Sequence, residues 1–304
     1  MVVKIGFVGI GVMGEPMCLN LRKAGFALTV WARNPDDDRV RRVLDAGAVL
    51  VDSARAVAIA SDVVVTMLPN SPDVEAVVTG PSGLLEGVHD GLIIADMSTI
   101  APVMSRRLAA ECAARGAGFL DAPVSGGSVG AQAGTLTIMV GGEAAVFARA
   151  RPVFEAMGKK ENVLHVGPSG AGETVKLINQ HMCGAVAAAS LEALVLGVKA
   201  GLDVETISRV VGVSTGASWQ LTNQIPLRAY SGTFEPGFFT DLLAKDLHLV
   251  ADMGEEMHVP LAMIAAARQM YEAARAQGHG RRDYTSVVLP LEEITGVQVR
   301  AKKE

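Results

Sequence analysis

The sequence predicts an α/β domain followed by an all-α one: a doubly wound, mostly parallel sheet over residues 1–165, then helices alone over residues 166–304. Three observations predict it. Short apolar runs alternate with segments of helical spacing through the first half; the runs stop near residue 167; a glycine-rich turn joins the first run to the first helix. Strand–helix alternation implies parallel neighbours, because a parallel pair needs a long crossover. Continuous apolar runs also suit strands covered on both faces.

The runs are "VKIGFVG" (3–9), "ALTVWA" (27–32), "DVVVTML" (62–68), "GLIIADM" (91–97), "GFLDAP" (118–123), "LTIMVGG" (136–142) and "NVLHVG" (162–167). Helical segments follow, broken at Gly201, Gly212–Gly216, Pro226, Gly232–Gly237 and Pro260. The first of them, between Gly172 and Gly201, reads as one long helix, the first element of the all-α half. It is rich in alanine, and Val175, Ile178, Met182 and Val186 recur at helical spacing, which predicts a packed apolar stripe. Lys176 and Asn179 stand three apart near its start and so share a face.

Half of the chain is apolar, enough for a large core, and the net charge is −5. A nucleic-acid binder usually shows a basic face, which this balance does not suggest. Three scattered cysteines, Cys18, Cys112 and Cys183, make no CxxC spacing and read as reduced thiols. His181, His248 and His258 show no ligand spacing, so no metal is assigned. The first residues lead straight into a strand, without a signal-peptide pattern. The most apolar stretch contains Glu192 and Lys199, which argues against a membrane span. The expectation is a cytoplasmic protein.

The glycine turn is Gly9-x-Gly11-x-x-Gly14, with Val12 and Met13 inside it. Directly after a strand and opening a helix, it predicts a dinucleotide site. Gly9 allows the tight turn, Gly11 lets a pyrophosphate approach the backbone, and Gly14 lets helix and strand pack. The helix N-terminus adds N–H groups and partial positive charge. Ligands lie beyond the carboxyl ends of parallel strands, so "MLPN" (67–70) and "DMSTI" (96–100) are either cofactor contacts or plain loop and cap chemistry. The second strand ends "WARNPDDD". Ala32 stands where an NAD site usually has an acid, and Arg33 with Asn34 suits a 2′-phosphate. Asp36, Asp37 and Asp38 follow a proline and are expected to begin the next helix. NADP is therefore the expected cofactor, with NAD as the alternative.

Four ordered motifs spanning the chain resemble those of the β-hydroxyacid dehydrogenase family, of the 3-hydroxyisobutyrate dehydrogenase and tartronate semialdehyde reductase type: "GIGVMGEPMCLNL", "DAPVSGG" (121–127), "GPSGAGETVKLINQ" (167–180) and "KDL" (245–247). The resemblance implies a Rossmann-type N-terminal domain, an all-α C-terminal domain and a long helix joining them. It implies NAD(P)-dependent interconversion of a short 3-hydroxy acid and its semialdehyde. By motif position it implies cofactor contacts at Leu68, Pro69, Thr99 and Lys245. Substrate contacts fall at Ser125, Gly126, Gly127 and Asn179, and the catalytic residue at Lys176.

The residue types suit that chemistry. Hydride transfer from an alcohol carbon requires a base for the hydroxyl proton, and an acid in reverse; a lysine amine serves both if its pKa falls from ~10.4. Asn179 can bind substrate or orient the amine, which puts the polar pair toward an interdomain cleft and the apolar stripe away from it. At Ser125-Gly126-Gly127 two side chains are missing, so backbone N–H groups can converge on a carboxylate. The expected partner is a small carboxylate-bearing hydroxy acid or semialdehyde.

Some residues depart from the family pattern. Gln180 replaces a second asparagine. Arg281 and Arg282 in "GHGRRDYTS" are either solvated loop charges or help hold an anionic ligand. Trp219 either walls the substrate pocket or serves a core or interface. A dinucleotide-binding protein that has lost catalysis is the competing class, and retention of Lys176 and Asn179 argues against it. Imine reductases share the implied architecture but usually lack the lysine; decarboxylating 6-phosphogluconate dehydrogenases carry a longer helical domain. The apolar linker helix also predicts a homodimer or homotetramer assembled through the helical half.

Overall fold

The computed structural model describes residues 3–301. The chain forms two compact units that divide between Lys176 and Leu177.

Nine strands make up one sheet in the first unit: β1 (Lys4–Val8), β2 (Ala27–Trp31), β3 (Val49–Leu50), β4 (Val63–Thr66), β5 (Ile93–Asp96), β6 (Gly118–Asp121), β7 (Val124–Ser125), β8 (Leu136–Gly141) and β9 (Gly158–Gly167). Their order is β3-β2-β1-β4-β5-β6-β8-β7, with β9 added on β8. Pairing is parallel from β3 through β6. β8 then turns antiparallel to β6 and β7 and parallel to β9. Chain order reverses between β1 and β4, the switch point at which such sheets bind ligands.

The helices of this unit are α1 (Gly14–Lys23), α2 (Asp38–Asp45), α3 (Ala54–Ile59), α4 (Ser71–Thr79), α5 (Pro102–Ala113), α6 (Gly127–Ala133) and α7 (Ala144–Glu155). Alternate strand residues feed two cores, because successive side chains leave a strand on opposite faces. Ile5, Phe7, Val63, Val65 and Ile93 join Met17 and Leu21 of α1 and Phe154 of α7. Val8, Val64 and Ile94 join Val57, Val74, Leu108 and Cys112 on the other face. As expected, the acids after Pro35 start α2: the side chain of Asp37 caps it, accepting from the Arg39 N–H.

A 29-residue helix, α8 (Ala171–Lys199), crosses from the first unit into the second. The second unit continues with α9 (Val204–Val211), α10 (Ile225–Arg228), α11 (Thr240–Glu256), α12 (Ala262–Ala276) and α13 (Leu289–Thr295). The breaks at Gly201, Gly212, Gly232–Gly237 and Pro260 separate these helices. Pro226 instead lies within a continuous helical stretch in which a π-helical turn over Gln220–Gln224 runs directly into α10.

Within the single chain the expected stripe of α8 lies on its outer side, with Val186 half-buried. Val175, Ile178 and Met182 are exposed, at 36%, 54% and 60%. The buried face of α8 carries Glu173, Lys176, Leu177, Gln180, Ala187, Ala188 and Leu191. Small residues are covered because they admit a close neighbour: a Cβ on Gly184 would stand 2.8 Å from the Leu247 side chain of α11. By length and composition α8 could cross a membrane. Its Leu177, Leu191, Leu194 and Val195 instead share a core with Leu243 and Leu247 of α11 and Tyr271 of α12.

Candidate active site

At the switch point the three glycines of the turn have three different surroundings. Gly9 has φ +104°, and a Cβ there would lie 2.2 Å from the Met67 carbonyl oxygen. A Cβ on Gly14 would lie 2.0 Å from the Gly9 oxygen. A Cβ on Gly11 would meet nothing within 4 Å. Two glycines thus close strand, turn and helix together, and the third leaves open backbone, as the approach of a pyrophosphate requires. Val12 in the same turn is exposed, and Met13 is half-buried at the head of α1.

Leu68, Pro69 and Thr99 lie on the turns after β4 and β5. The Leu68 N–H donates to Ser98 Oγ at 2.9 Å. Ser98 Oγ donates to Asp96 Oδ1 at 2.6 Å, and Thr66 Oγ1 donates to the same oxygen at 2.7 Å. One buried carboxylate therefore ties both turns. Burial pushes the Asp96 carboxyl up to about 6, against the opposing pull of these donors. Asn70 caps α4 by accepting from Asp73 N, so the last residue of "MLPN" is cap chemistry. Arg33 and Asn34 follow β2 and are exposed. Arg33 Nη2 lies 3.1 Å from Asp73 Oδ1 with its side chain 82% exposed, a surface pair of little strength. The Asn34 side chain accepts from Asp36 N at 3.3 Å.

Asp121 ends β6, beside Asp96 in register. Its Oδ1 accepts from Gly170 N at 2.8 Å and its Oδ2 from Glu173 N at 3.1 Å. These N–H groups belong to the start of α8, so Asp121 caps the helix that carries Lys176. Burial raises the Asp121 carboxyl, and the backbone donors pull it back. The fit is close: a Cβ on Gly141 would stand 2.6 Å from either Asp121 oxygen, and one on Gly172 would stand 2.5 Å from the Asp121 carbonyl. Four residues on, Ser125 pairs with Thr137 on β8, and Gly126 and Gly127 take φ values of +131° and +60°. Side chains rarely adopt such angles. Lys176 is 6% exposed on the second turn of α8.

The second unit holds Asn179 on α8 and Lys245 on α11, both half-buried. Asn179 Nδ2 donates to Gln180 Oε1 at 3.0 Å, and Gln180 Nε2 donates to Asp246 Oδ2 at 2.6 Å. Lys245 Nζ lies 3.0 Å from Asp246 Oδ1. Trp219 is 63% exposed, which removes the core reading. Arg281 stacks over the Phe239 ring at 4.5 Å and Arg282 is exposed. Asp96, Asp121 and Asp246 escaped the sequence reading as site residues. Their signal is an acid that ends an apolar strand or sits inside a buried helix face.

A glycine turn at the switch point of a parallel sheet, followed along the chain by a helical unit, marks the class of dinucleotide-binding proteins. Residues 4–167 match the family described as the NAD binding domain of 6-phosphogluconate dehydrogenase, and residues 170–291 match the NAD-binding region of NADP-dependent 3-hydroxyisobutyrate dehydrogenase. The chain is 44% identical to 2-(hydroxymethyl)glutarate dehydrogenase of Eubacterium barkeri, over 98% of this chain and 97% of that one. It is 38% identical to 2-hydroxy-3-oxopropionate reductase of Escherichia coli, over 95% and 97%. The solved structure of Mycobacterium tuberculosis 3-hydroxyisobutyrate dehydrogenase with L-serine superposes with a TM-score of 0.87 at 33% identity, over 96% and 99%. The chain belongs to the 3-hydroxyisobutyrate dehydrogenase family of β-hydroxyacid dehydrogenases. It is an NAD(P)-dependent enzyme that interconverts hydroxy acids and their semialdehydes.

Proposed function

We propose that the enzyme acts on a short carboxylate-bearing semialdehyde and its hydroxy acid, with Lys176 as general acid and base. The observation that carries this reading is the burial of Lys176, 6% exposed on a helix whose first turn is capped from the end of β6. A lysine is seldom that buried, and this one stands in the glycine-led motif that opens α8. When bound, the nicotinamide supplies or takes the hydride at the substrate's oxygen-bearing carbon. The Lys176 ammonium gives its proton to the oxygen as charge develops there, and the amine recovers it in the oxidation. The Ser125 hydroxyl and the backbone N–H groups of Gly126 and Gly127 hold the carboxylate. Asn179 contacts the substrate near the reacting oxygen. Gly9, Gly11, Val12, Met13, Gly14, Leu68, Pro69, Thr99 and Lys245 hold the dinucleotide.

NADP is our reading of the cofactor. It is supported by Ala32 in the acidic position, by the exposed Arg33 and Asn34, and by the engagement of Asp37 as a helix cap. A homodimer or homotetramer is supported by the exposed apolar face of α8. A reducing cytoplasm suits Cys18 and Cys112, both buried thiols whose pKa burial raises.

The test is a panel of tartronate, methylmalonate and succinate semialdehydes, plus 2-(hydroxymethyl)glutarate in the oxidative direction, each with both cofactors. Lys176→Ala is expected to lower kcat by ~10²–10⁴-fold while dinucleotide affinity changes little. Near-normal turnover in that variant removes Lys176 from the mechanism. Arg33→Ala is expected to lower the NADPH:NADH ratio of kcat/KM; an unchanged ratio removes Arg33 from phosphate recognition.

A further inference from the structure

Gln180 and Asp246 are buried, 3% and 2% exposed, and sit between two half-buried residues that hold ligands in the reading above. A carboxylate only accepts hydrogen bonds. The contact of Gln180 with Asp246 Oδ2, at 2.6 Å, therefore fixes the Gln180 amide with its nitrogen toward the acid. Its oxygen faces the other way and accepts from Asn179 Nδ2 at 3.0 Å. The same logic passes on to Asn179. With its nitrogen turned to Gln180, the opposite end of its amide is the oxygen. The second oxygen of Asp246 pairs with Lys245 Nζ at 3.0 Å. One buried charge thus sets the orientation of an amide on α8 and the place of an ammonium on α11.

We propose that Gln180 and Asp246 are positioning residues that fix the hydrogen-bond polarity of Asn179, so that Asn179 meets the substrate as an acceptor through Oδ1. A substrate carboxylate has no proton to give, so this polarity selects the reacting hydroxyl, or the Lys176 ammonium after the proton has moved. The relay needs a neutral donor at 180. A glutamate there would set two carboxylates against each other and regain the contact only when protonated.

The proposal rests on the assignment of Lys176 and Asn179 to the reacting group, and the experiment separates the two. Wild type, Gln180→Met, Gln180→Glu, Asn179→Ala and Lys176→Ala are compared in kcat/KM from pH 5.5 to 9. NADPH affinity is measured directly by fluorescence and folding by circular dichroism. Gln180→Met is expected to lose about tenfold or more in kcat/KM, with NADPH affinity within about twofold of wild type. Gln180→Glu is expected to show the same loss at high pH and to recover relative to wild type as pH falls. A merely structural glutamine would carry NADPH affinity and the circular dichroism signal down together with kcat/KM, whereas a positioning one lowers kcat/KM alone. Should Gln180→Met not fold, the Gln180→Glu profile decides alone. If Asn179→Ala and Lys176→Ala lose activity while Gln180→Glu follows the wild-type profile, the relay is wrong and the site assignment stands. If neither Asn179→Ala nor Lys176→Ala loses activity, both fall together.

Discussion

Asp96 closes β5 with no exposed surface, and one of its oxygens has no hydrogen-bond partner. Three donors to the other oxygen hold it in place without repaying the loss of water, and Asp121 beside it adds like charge. Its carboxyl lies near 6 in the folded chain against 3.8 ordinarily. The folded state therefore keeps a proton that the unfolded chain gives up. The associated stability is full below about pH 4, declines as pH rises toward 6, and is gone above that. Asn at this position keeps an acceptor for Thr66 and Ser98 but cannot ionise. Urea unfolding of wild type and Asp96→Asn at pH 4.5 and 7.5 should show wild type gaining about 2 kcal/mol on the variant at the lower pH. An equal difference at both values means that Asp96 titrates like an exposed acid.

At the scale of elements, the head of α8 depends on Asp121. Its removal leaves the Gly170 and Glu173 N–H groups buried without an acceptor. Asp121→Ala should destabilise the fold by roughly 2–4 kcal/mol and lower kcat more than it weakens dinucleotide binding. Asp121→Asn, which retains one acceptor, should fall between. An unchanged urea midpoint in Asp121→Ala would show the cap to be dispensable. The strands at 4–8, 63–66, 93–96 and 136–141 were legible because each is an apolar run buried on both faces. β3 and β7 were not, since two residues make no pattern and both residues of β3, Val49 and Leu50, are exposed. The stripe on α8 is legible, but what covers it is not. Periodicity reports that Val175, Ile178 and Met182 share a face; it does not report what covers that face. Gly184, Ala187 and Ala188 are the covered ones because small residues let α11 approach, a preference that a scale weighting residue size cannot register. The glycine turn, Ser125–Gly127 and Lys176 were read from motif order. The acids that fasten them were missed, since an acid in an apolar run looks like the end of a strand.

At the scale of the whole molecule, α8 presents Val175, Ile178, Met182 and Leu196 to solvent, the last 72% exposed. A row of large apolar side chains along one helix is an uncommon surface for a monomer. Light scattering at micromolar concentration should report a dimer or tetramer, and Met182→Glu should shift the mass toward the monomer. A monomeric wild type refutes the assembly.

The 29-residue helix has one more property, that of a gauge. Lys176 and Asn179 are spaced by a single turn of unbroken backbone, and the chain passes from one compact unit to the other between them. Two alanines inserted after Leu177 would rotate everything downstream by about 200° and advance it by about 3 Å. Asn179 would leave the lysine's side of the helix although every residue of both units was still present. The same two alanines inserted after Gly201, past the end of α8, would be absorbed by a loop. The first insertion should abolish turnover and the second should spare it, so in this enzyme the count of residues between amine and amide matters as much as their identity.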